Sequence, residues 1–333
     1  MFNQLGVGIA ITGSGSATPE VALDNNQLSQ IVETSDEWIS ARTGIRERHL
    51  VDAQGSLSAI ATTAAQGAIA MAGIAPTDLD LIILATSTPD DLFGTASKIQ
   101  SLLGASKAVA FDLTAACSGF VFGMVTAAQF IRTGVYKNVL LIGADVLSRW
   151  VDWSDRGTCV LFGDGAGAVV IQANESDRLL GFEVCSDGTQ NNCLQLAYKA
   201  QTKELVNGVT VAQGTYQPIT MNGKEVYRFA VHKVPEVIEK ALFRANISTD
   251  QVDWLLLHQA NQRILDAVAQ RLKIPPHKVI SNMAYHGNTS AASIPIALDE
   301  WVRQGKIQAG EIIATSGFGA GLTWGAAIFQ WGR

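Results

Sequence analysis

Three residues in this chain have types and settings suited to acyl chemistry. Cys117 stands in DLTAACSGFVFG, a run of small residues from Asp112 that leads into an apolar stretch. His258 opens HQANQRI directly after the apolar run WLLL, and Asn288 lies in HGNTSAAS. A thiolate at a helix N-terminus is stabilised by unpaired backbone N–H groups and by the helix dipole, so this setting predicts a lowered thiol pKa and a nucleophile. A cysteine among small residues is also an ordinary core hydrophobe, and the residues alone leave both readings open. His258 is either a satisfied strand-end residue or a base or donor facing a cleft. Asn288 is either a helix N-cap or a donor to developing charge. A Cys, a His and an Asn drawn from three separate segments suit acyl transfer, in which the sulfur carries the acyl group and the other two stabilise an oxyanion or enolate.

The elements that must position them are repeated within the chain. AGIAPTDLDLIILA from Ala72 aligns without a gap to ANISTDQVDWLLLH from Ala245, an offset of 173. Each reads as a helix end, a turn, an Asp (Asp80, Asp253) and a buried strand, and each comes after a helical stretch, Leu57 to Met71 and Val234 to Arg244. CSGFVFGMVTAAQFIRTG from Cys117 then aligns to NTSAASIPIALDEWVRQG from Asn288, an offset of 171 that pairs Arg132 with Arg303 and Gly134 with Gly305. On this alignment Cys117 and Asn288 occupy corresponding places, each starting a long helix after a strand. Strands come next in both copies, VLLIG at Val139 and EIIAT at Glu311, and GAVVIQ at Gly167 matches GAAIFQ at Gly325. Three matches in one order predict a duplicated α/β chain with halves 1–173 and 174–333. The near-continuous apolar strands suit sheets covered on both faces. In such sheets, sites collect at the carboxyl ends of strands and where two halves meet.

Composition narrows the function classes. The chain has 333 residues, 47% hydrophobic and 16% charged, with 31 Gly and a net charge of -6. It has no Lys/Arg run, a poor basis for nucleic-acid binding. Cys117, Cys159, Cys185 and Cys193 form no CxxC pair and no zinc-like group with histidine, so no metal site and four free thiols in a reducing compartment are expected. The opening MFNQLGVGIAITGSGS lacks the pattern of a signal peptide, and no apolar run is long enough to span a membrane. The expectation is a soluble, cytoplasmic protein. FGDGAGAVVIQ from Phe162 has the glycines of a dinucleotide loop, but the residues after those glycines are β-branched and strand-like, so a tight turn between strands is the better reading. SGFGAGLTWG from Ser316 comes after a strand, and its bare backbone could approach a ligand or give an N–H to an oxyanion.

Taken together, ACSG at Cys117, HQAN at His258, HGNTSAAS at Asn288 and GFGAGLTWG from Gly317 resemble the β-ketoacyl-acyl-carrier-protein synthase III family. SDEWISARTGIRERH (35–49) and DRGTCVLFGDGAGA (155–168) belong to the same pattern, and the resemblance runs nearly the whole length. It implies the thiolase fold, a duplicated five-layer αβαβα arrangement. It also implies condensation of acetyl-CoA with malonyl-acyl carrier protein, with no cofactor beyond these substrates. On the family pattern Cys117 takes the acetyl group, His258 and Asn288 bind the malonyl thioester carbonyl, and the Cys117 and Ala320 backbone N–H groups form the oxyanion hole. Trp38 corresponds to the residue stacking the CoA adenine, with Arg156 on its other side and Arg42 near the phosphates. Arg263 matches the principal carrier-protein docking arginine, with Arg228 and Arg271 as further candidates. Leu92 and Phe93 are both candidates for the residue that caps a partner subunit's acyl pocket, and a homodimer is implied. Without the resemblance, Trp38 reads as an amphipathic surface anchor and the arginines as solvated basic residues.

Particular residues bear on the rival readings. Against a related synthase using another acyl starter for a polyketide or quinolone-type product, the intact HGNTSAAS and the Trp38/Arg156 pair favour the fatty-acid role. A biosynthetic thiolase needs a second catalytic cysteine near its C-terminus, whereas the last cysteine here is Cys193. A non-catalytic acyl-binding module would have lost one of Cys117, His258 and Asn288. A cysteine protease does not explain the duplication, and a redox role for Cys117 lacks a resolving cysteine nearby in sequence.

Overall fold

The structure, a computed structural model, describes residues 7–332. The first six residues of the N-terminal opening lie outside it. Two sheets carry the repeat. The first has five strands in the order Gly8–Ala17, Gly165–Asn174, Asn138–Asp145, Leu81–Ala85 and Val109–Leu113. The second has four, Leu179–Ser186, Thr323–Gln330, Ile312–Gly319 and Trp254–Leu257. Strand order and sense match between them: two antiparallel pairings and then a parallel one, with Leu81 opposite Val139 and Trp254 opposite Ile313. The first sheet adds a second parallel pairing, to Val109–Leu113. Its counterpart in the second sheet has shrunk to a single parallel bridge, Leu255 to Val279. Asp80 accepts from the Lys137 and Asn138 N–H groups, and Asp253 from that of Ile312, so each repeat's Asp ties the same two strands.

The strands are apolar on both faces because both faces are covered. Leu81 and Ile83 pack with Leu256 and Ile313 around two central helices, Gly119–Arg132 and Ser293–Arg303. Ile82 and Leu84 face outward against Leu57–Ala72 and Ala96–Leu103. Leu255 and Leu257 face the opposite way, against Gly223–Ala245 and Gln262–Leu272. Helix, sheet, helix pair, sheet and helix make five layers, the thiolase-like order. The Leu57–Ala72 helix starts at Ser56, whose hydroxyl accepts the Ala59 N–H, and stops at Gly73 in the left-handed region.

Three sequence expectations are corrected. The helix expected from Val234 starts at Gly223 and runs through Pro235. The residues Ser316 to Gly319 belong to the strand rather than coming after it, and only 320–322 turn. The third correction concerns the central helices. Their C-terminal ends, Arg132 and Arg303, keep the offset of 171, but the first is longer by three residues at its start. Ahead of them lie two 3₁₀ turns, Ala116–Ser118 and Ser290–Ala292, each opened by a left-handed residue, Ala116 at φ 46° and Ser290 at φ 53°. The spatial counterpart of Cys117 is therefore Ala291, and Asn288 lies ahead of the matching turn. Among the described residues no helix is long and apolar enough to cross a membrane.

Candidate active site

Cys117, His258 and Asn288 line one cavity of about 380 Å³. All three are buried, Cys117 being 8% exposed, while the cavity's outer wall carries Trp38, Arg42, Arg156, Lys224, Tyr227 and Arg263. Its buried end thus carries the three candidate residues among apolar neighbours such as Phe318, and its mouth is basic and aromatic.

Cys117 is held by backbone contact with the other half. A Cβ placed on Gly319 would come within 2.6 Å of the Cys117 nitrogen and 3.0 Å of its Cβ, and one on Gly317 within 3.0 Å of the Ser118 Cα. Only bare backbone lets that strand lie so close to the sulfur-bearing turn. The approach expected of this glycine-rich stretch is made to the cysteine itself. Ala320 comes next in the hairpin turn, just past the last paired residue, Gly319. The Ser118 and Thr323 hydroxyls both donate to the Ala115 carbonyl, closing the turn from the two sides.

The expected fall in the thiol pKa is overturned. Burial pushes the Cys117 thiol up to about 12; the Asp145 carboxylate pushes the same way, while a hydrogen bond from the Ser290 side chain and the residue's own N–H act against them. The resting sulfur is a thiol, because desolvation of a full negative charge outweighs a turn's worth of backbone dipoles. Asp145 ends the Asn138–Asp145 strand, fully buried. Its Oδ1 accepts from the Thr86 hydroxyl, the Ser87 N–H and the Thr88 hydroxyl at 3.2, 2.8 and 3.0 Å, and its Oδ2 from the Ala291 N–H at 3.2 Å. Sequence reading missed Asp145 and Ser290. The available signal was an acid closing an otherwise apolar strand.

Asn288 is not a helix N-cap. Its N–H donates to the Leu161 carbonyl at 2.9 Å, its carbonyl accepts from Gly163 N–H at 3.0 Å, and its Oδ1 accepts from Ser290 N–H at 2.9 Å. With Oδ1 so engaged, Nδ2 is the side chain's remaining polar group at the cavity. Beneath this junction Arg48 is fully buried, donating to the Leu23 and Val160 carbonyls at 3.0 and 2.9 Å. Burial lowers its pKa to about 10, the nearby Cys159, Asp24 and Glu47 opposing. A Cβ on Gly163 or Gly287 would lie 3.2 or 3.3 Å from that of Arg48, so its stem fixes the level of the chain on either side of Asn288.

His258 extends the Trp254–Leu257 strand, its N–H donating to the Ser316 carbonyl at 2.8 Å. Its Nδ1 is 2.7 Å from the Ser293 hydroxyl, and its ring meets Phe318 edge-on at 5.4 Å. Burial pushes its pKa down to about 3, so the imidazole is neutral. Neither Ser293 nor Phe318 stood out in the sequence.

At the mouth, both the Arg42 and Arg156 guanidinium groups lie over the Trp38 ring, 4.5 and 4.8 Å from its centroid. Ser35 caps the short helix Asp36–Thr43 that carries Trp38 and Arg42. Arg263 lies over Tyr227 at 5.9 Å. Two of the expected docking arginines are outside the cavity wall: Arg228 pairs with Glu225 at 3.0 Å, and Arg271 donates to the His232 carbonyl at 3.4 Å. Lys224, missed in the sequence, lines the cavity instead. Leu92 and Phe93 are exposed and do not line it. The four cysteines are unpaired.

Comparison with known proteins gives this geometry a family. The profile described as 3-oxoacyl-[acyl-carrier-protein (ACP)] synthase III matches residues 111–188, and the one for its C-terminal part matches 242–331. The β-ketoacyl-[acyl-carrier-protein] synthase III of Trichormus variabilis is 75% identical over 98% of this chain and 99% of its own. This chain belongs to the β-ketoacyl-acyl-carrier-protein synthase III family. The crystal structure of the synthase III from Aquifex aeolicus superposes with a TM-score of 0.89 at 43% identity, covering 97% of this chain and 100% of that one. The priming β-ketosynthase of the R1128 polyketide pathway superposes with a TM-score of 0.91 at 30% identity, covering 100% and 99%. Backbone shape is thus common to both kinds of condensing enzyme, and the identity separates them in favour of synthase III.

Proposed function

We propose that this synthase III condenses acetyl-CoA with malonyl-acyl carrier protein, releasing carbon dioxide and forming acetoacetyl-acyl carrier protein, the first step of type II fatty-acid synthesis. The observation that carries it is one cavity lined by a cysteine, a neutral histidine and an asparagine, opening to a basic, aromatic mouth. The Cys117 sulfur attacks the acetyl thioester, its proton leaving with the CoA thiol. The negative charge on the tetrahedral oxygen falls to the Cys117 and Ala320 N–H groups. Malonyl thioester then loses carbon dioxide, and its carbonyl oxygen, now an enolate, is held by His258 and the Asn288 amide. Because carbon dioxide departs with the bond's other atoms and leaves its electron pair behind, no strong base and no resident cofactor are needed. The enolate attacks acetyl-Cys117, the carbon–sulfur bond breaks, and the expelled thiolate takes a proton from solvent, replacing the one that left with the CoA thiol.

Trp38 stacks the CoA adenine between Arg156 and Arg42, the latter reaching the phosphates. Arg263, with Arg228 and Arg271 farther out, receives the acidic carrier protein. The exposed Leu92 and Phe93, beside the open edge strand Val109–Leu113, suit a homodimer in which one of them caps the partner's acyl pocket. The two repeats, 1–173 and 174–333, are its structural halves, and the enzyme works in the cytoplasm. Intact-mass measurement after mixing with acetyl-CoA tests the reading: an adduct of about 42 Da, absent in Cys117→Ser, is expected of a thioester intermediate. Labelling only by longer or aromatic acyl-CoAs would assign the chain to the polyketide-type alternative.

A further inference from the structure

We infer that Ser293 sets the tautomer of His258, placing the ring's single proton on Nε2 and making that nitrogen the donor into the cavity. One hydroxyl and its partners decide it. Ser293 opens the Ser293–Arg303 helix and is buried. Its Oγ accepts the Gln259 backbone N–H at 3.2 Å and lies 2.7 Å from His258 Nδ1. A hydroxyl has one proton to give, and the only acceptor bonded to it among the described residues is that Nδ1. If Nδ1 carried the ring proton, Ser293 would accept twice and its own O–H would be buried with no acceptor, which folded proteins avoid. If Nε2 carries it, all three groups are satisfied: Gln259 N–H to Oγ, Oγ–H to Nδ1, and Nε2–H left for a ligand. Burial holds the ring neutral, so it has one ring proton to place. No carboxylate touches the imidazole among the described residues, which distinguishes this arrangement from a histidine held as a base by an acid.

Ser293 is therefore a positioning residue. It allows His258 to donate to a thioester or enolate oxygen and denies it the role of acceptor for the Cys117 proton. The catalytic consequence rests on the donor role given to His258 above; the tautomer does not.

Nitrogen-15 NMR of the full-length protein labelled at its five histidines, with the His258 signals assigned by their loss in His258→Gln, reads the tautomer directly. The expected wild-type pattern is an unprotonated Nδ1 and a protonated Nε2, unchanged between pH 5 and 9. Ser293→Ala should move it toward the other tautomer and lower kcat for condensation by about 10²-fold, and Ser293→Thr, which keeps the hydroxyl, should restore both. A protonated Nδ1 in the wild type, or an unchanged pattern in a folded Ser293→Ala, overturns the inference. A changed tautomer with undiminished condensation upholds Ser293 as the determinant and sinks the donor role of His258 instead.

Discussion

The two 3₁₀ turns at the centre of the molecule share a backbone and differ in chemistry. Ala116–Ser118 and Ser290–Ala292 each begin with a left-handed residue and each lie against a strand glycine of the other half. A Cβ on Gly317 would meet the Cys117 carbonyl at 3.1 Å, and one on Gly143, its counterpart, the Ala291 carbonyl at 2.2 Å. The next paired position differs. Asp145 in the first half accepts the Ala291 N–H, whereas its counterpart is Gly319, which lies against Cys117 N without any side chain. One turn has its N–H claimed by a carboxylate; the other faces a glycine, which suits the oxyanion role proposed above. The two turns are equivalent in backbone, and a glycine in place of an acid is what sets the Cys117 turn apart as the proposed substrate site. The second turn and its helix act on the first half's sulfur and on the histidine, through Ser290 and Ser293.

Substitutions that erase this asymmetry should have the largest effects. Asn288→Asp puts a charge beside the enolate, and condensation should fall about 10²–10³-fold while acetylation of Cys117 persists, as stopped assays of each half-reaction would report. Gly319→Ala should slow formation of the acetyl adduct about 10²-fold by displacing the sulfur-bearing turn, measured by time-resolved mass spectrometry. Gly143→Ala is the matched control, expected to lower the melting temperature first. If Gly319→Ala slowed adduct formation less than Gly143→Ala, the two turns would not divide the labour as described. Trp38→Ala should raise KM for acetyl-CoA about tenfold.

Titration separates the turn that faces Asp145 from the sulfur-bearing one in another way. Alkylation of Cys117 by iodoacetamide should climb with pH without levelling off through pH 10, since burial holds the thiol near 12 and more thiolate forms at each step. In Asp145→Asn the charge that opposes the thiolate is gone, so the curve should move to lower pH. The smallest effect concerns stability. His258 titrates near 3 when folded against 6.5 in its reference state. Between those values the unfolded chain binds the extra proton, so stability falls as pH drops through this window. His258→Gln should flatten that part of a denaturation series.

Much of this was legible in the residues. The Asp80 and Asp253 repeats gave strands of correct place and order because a buried strand between turn signals has few alternatives. The glycine-rich stretch from Phe162 is no nucleotide loop, but the tight turn expected there is corrected too: Gly165 and Gly167 lie inside the strand Gly165–Asn174, where bare backbone lets the facing helix come close. The pairing of Cys117 with Asn288 failed because the matching Arg and Gly fix only the helix C-terminal ends, and the three extra residues enter at the start. The thiol's pKa failed because helix position is written in the sequence and desolvation is not. Asp145, Ser290 and Ser293 act only through contacts across the two halves, so no local spacing announces them.

The unequal sheets set a limit on assembly. The first ends in Val109–Leu113, whose outer side is free, while the second has lost that strand to one bridge. The other ends of the two sheets are joined to each other through Ile11 and Trp331 and through Arg178 and Ile9. Of the two large sheets, the first therefore leaves the outer side of a whole edge strand unpaired among the described residues. Were two copies to meet there about a twofold axis, as the proposed homodimer would, both edges would be used up and such a sheet would stop at a pair.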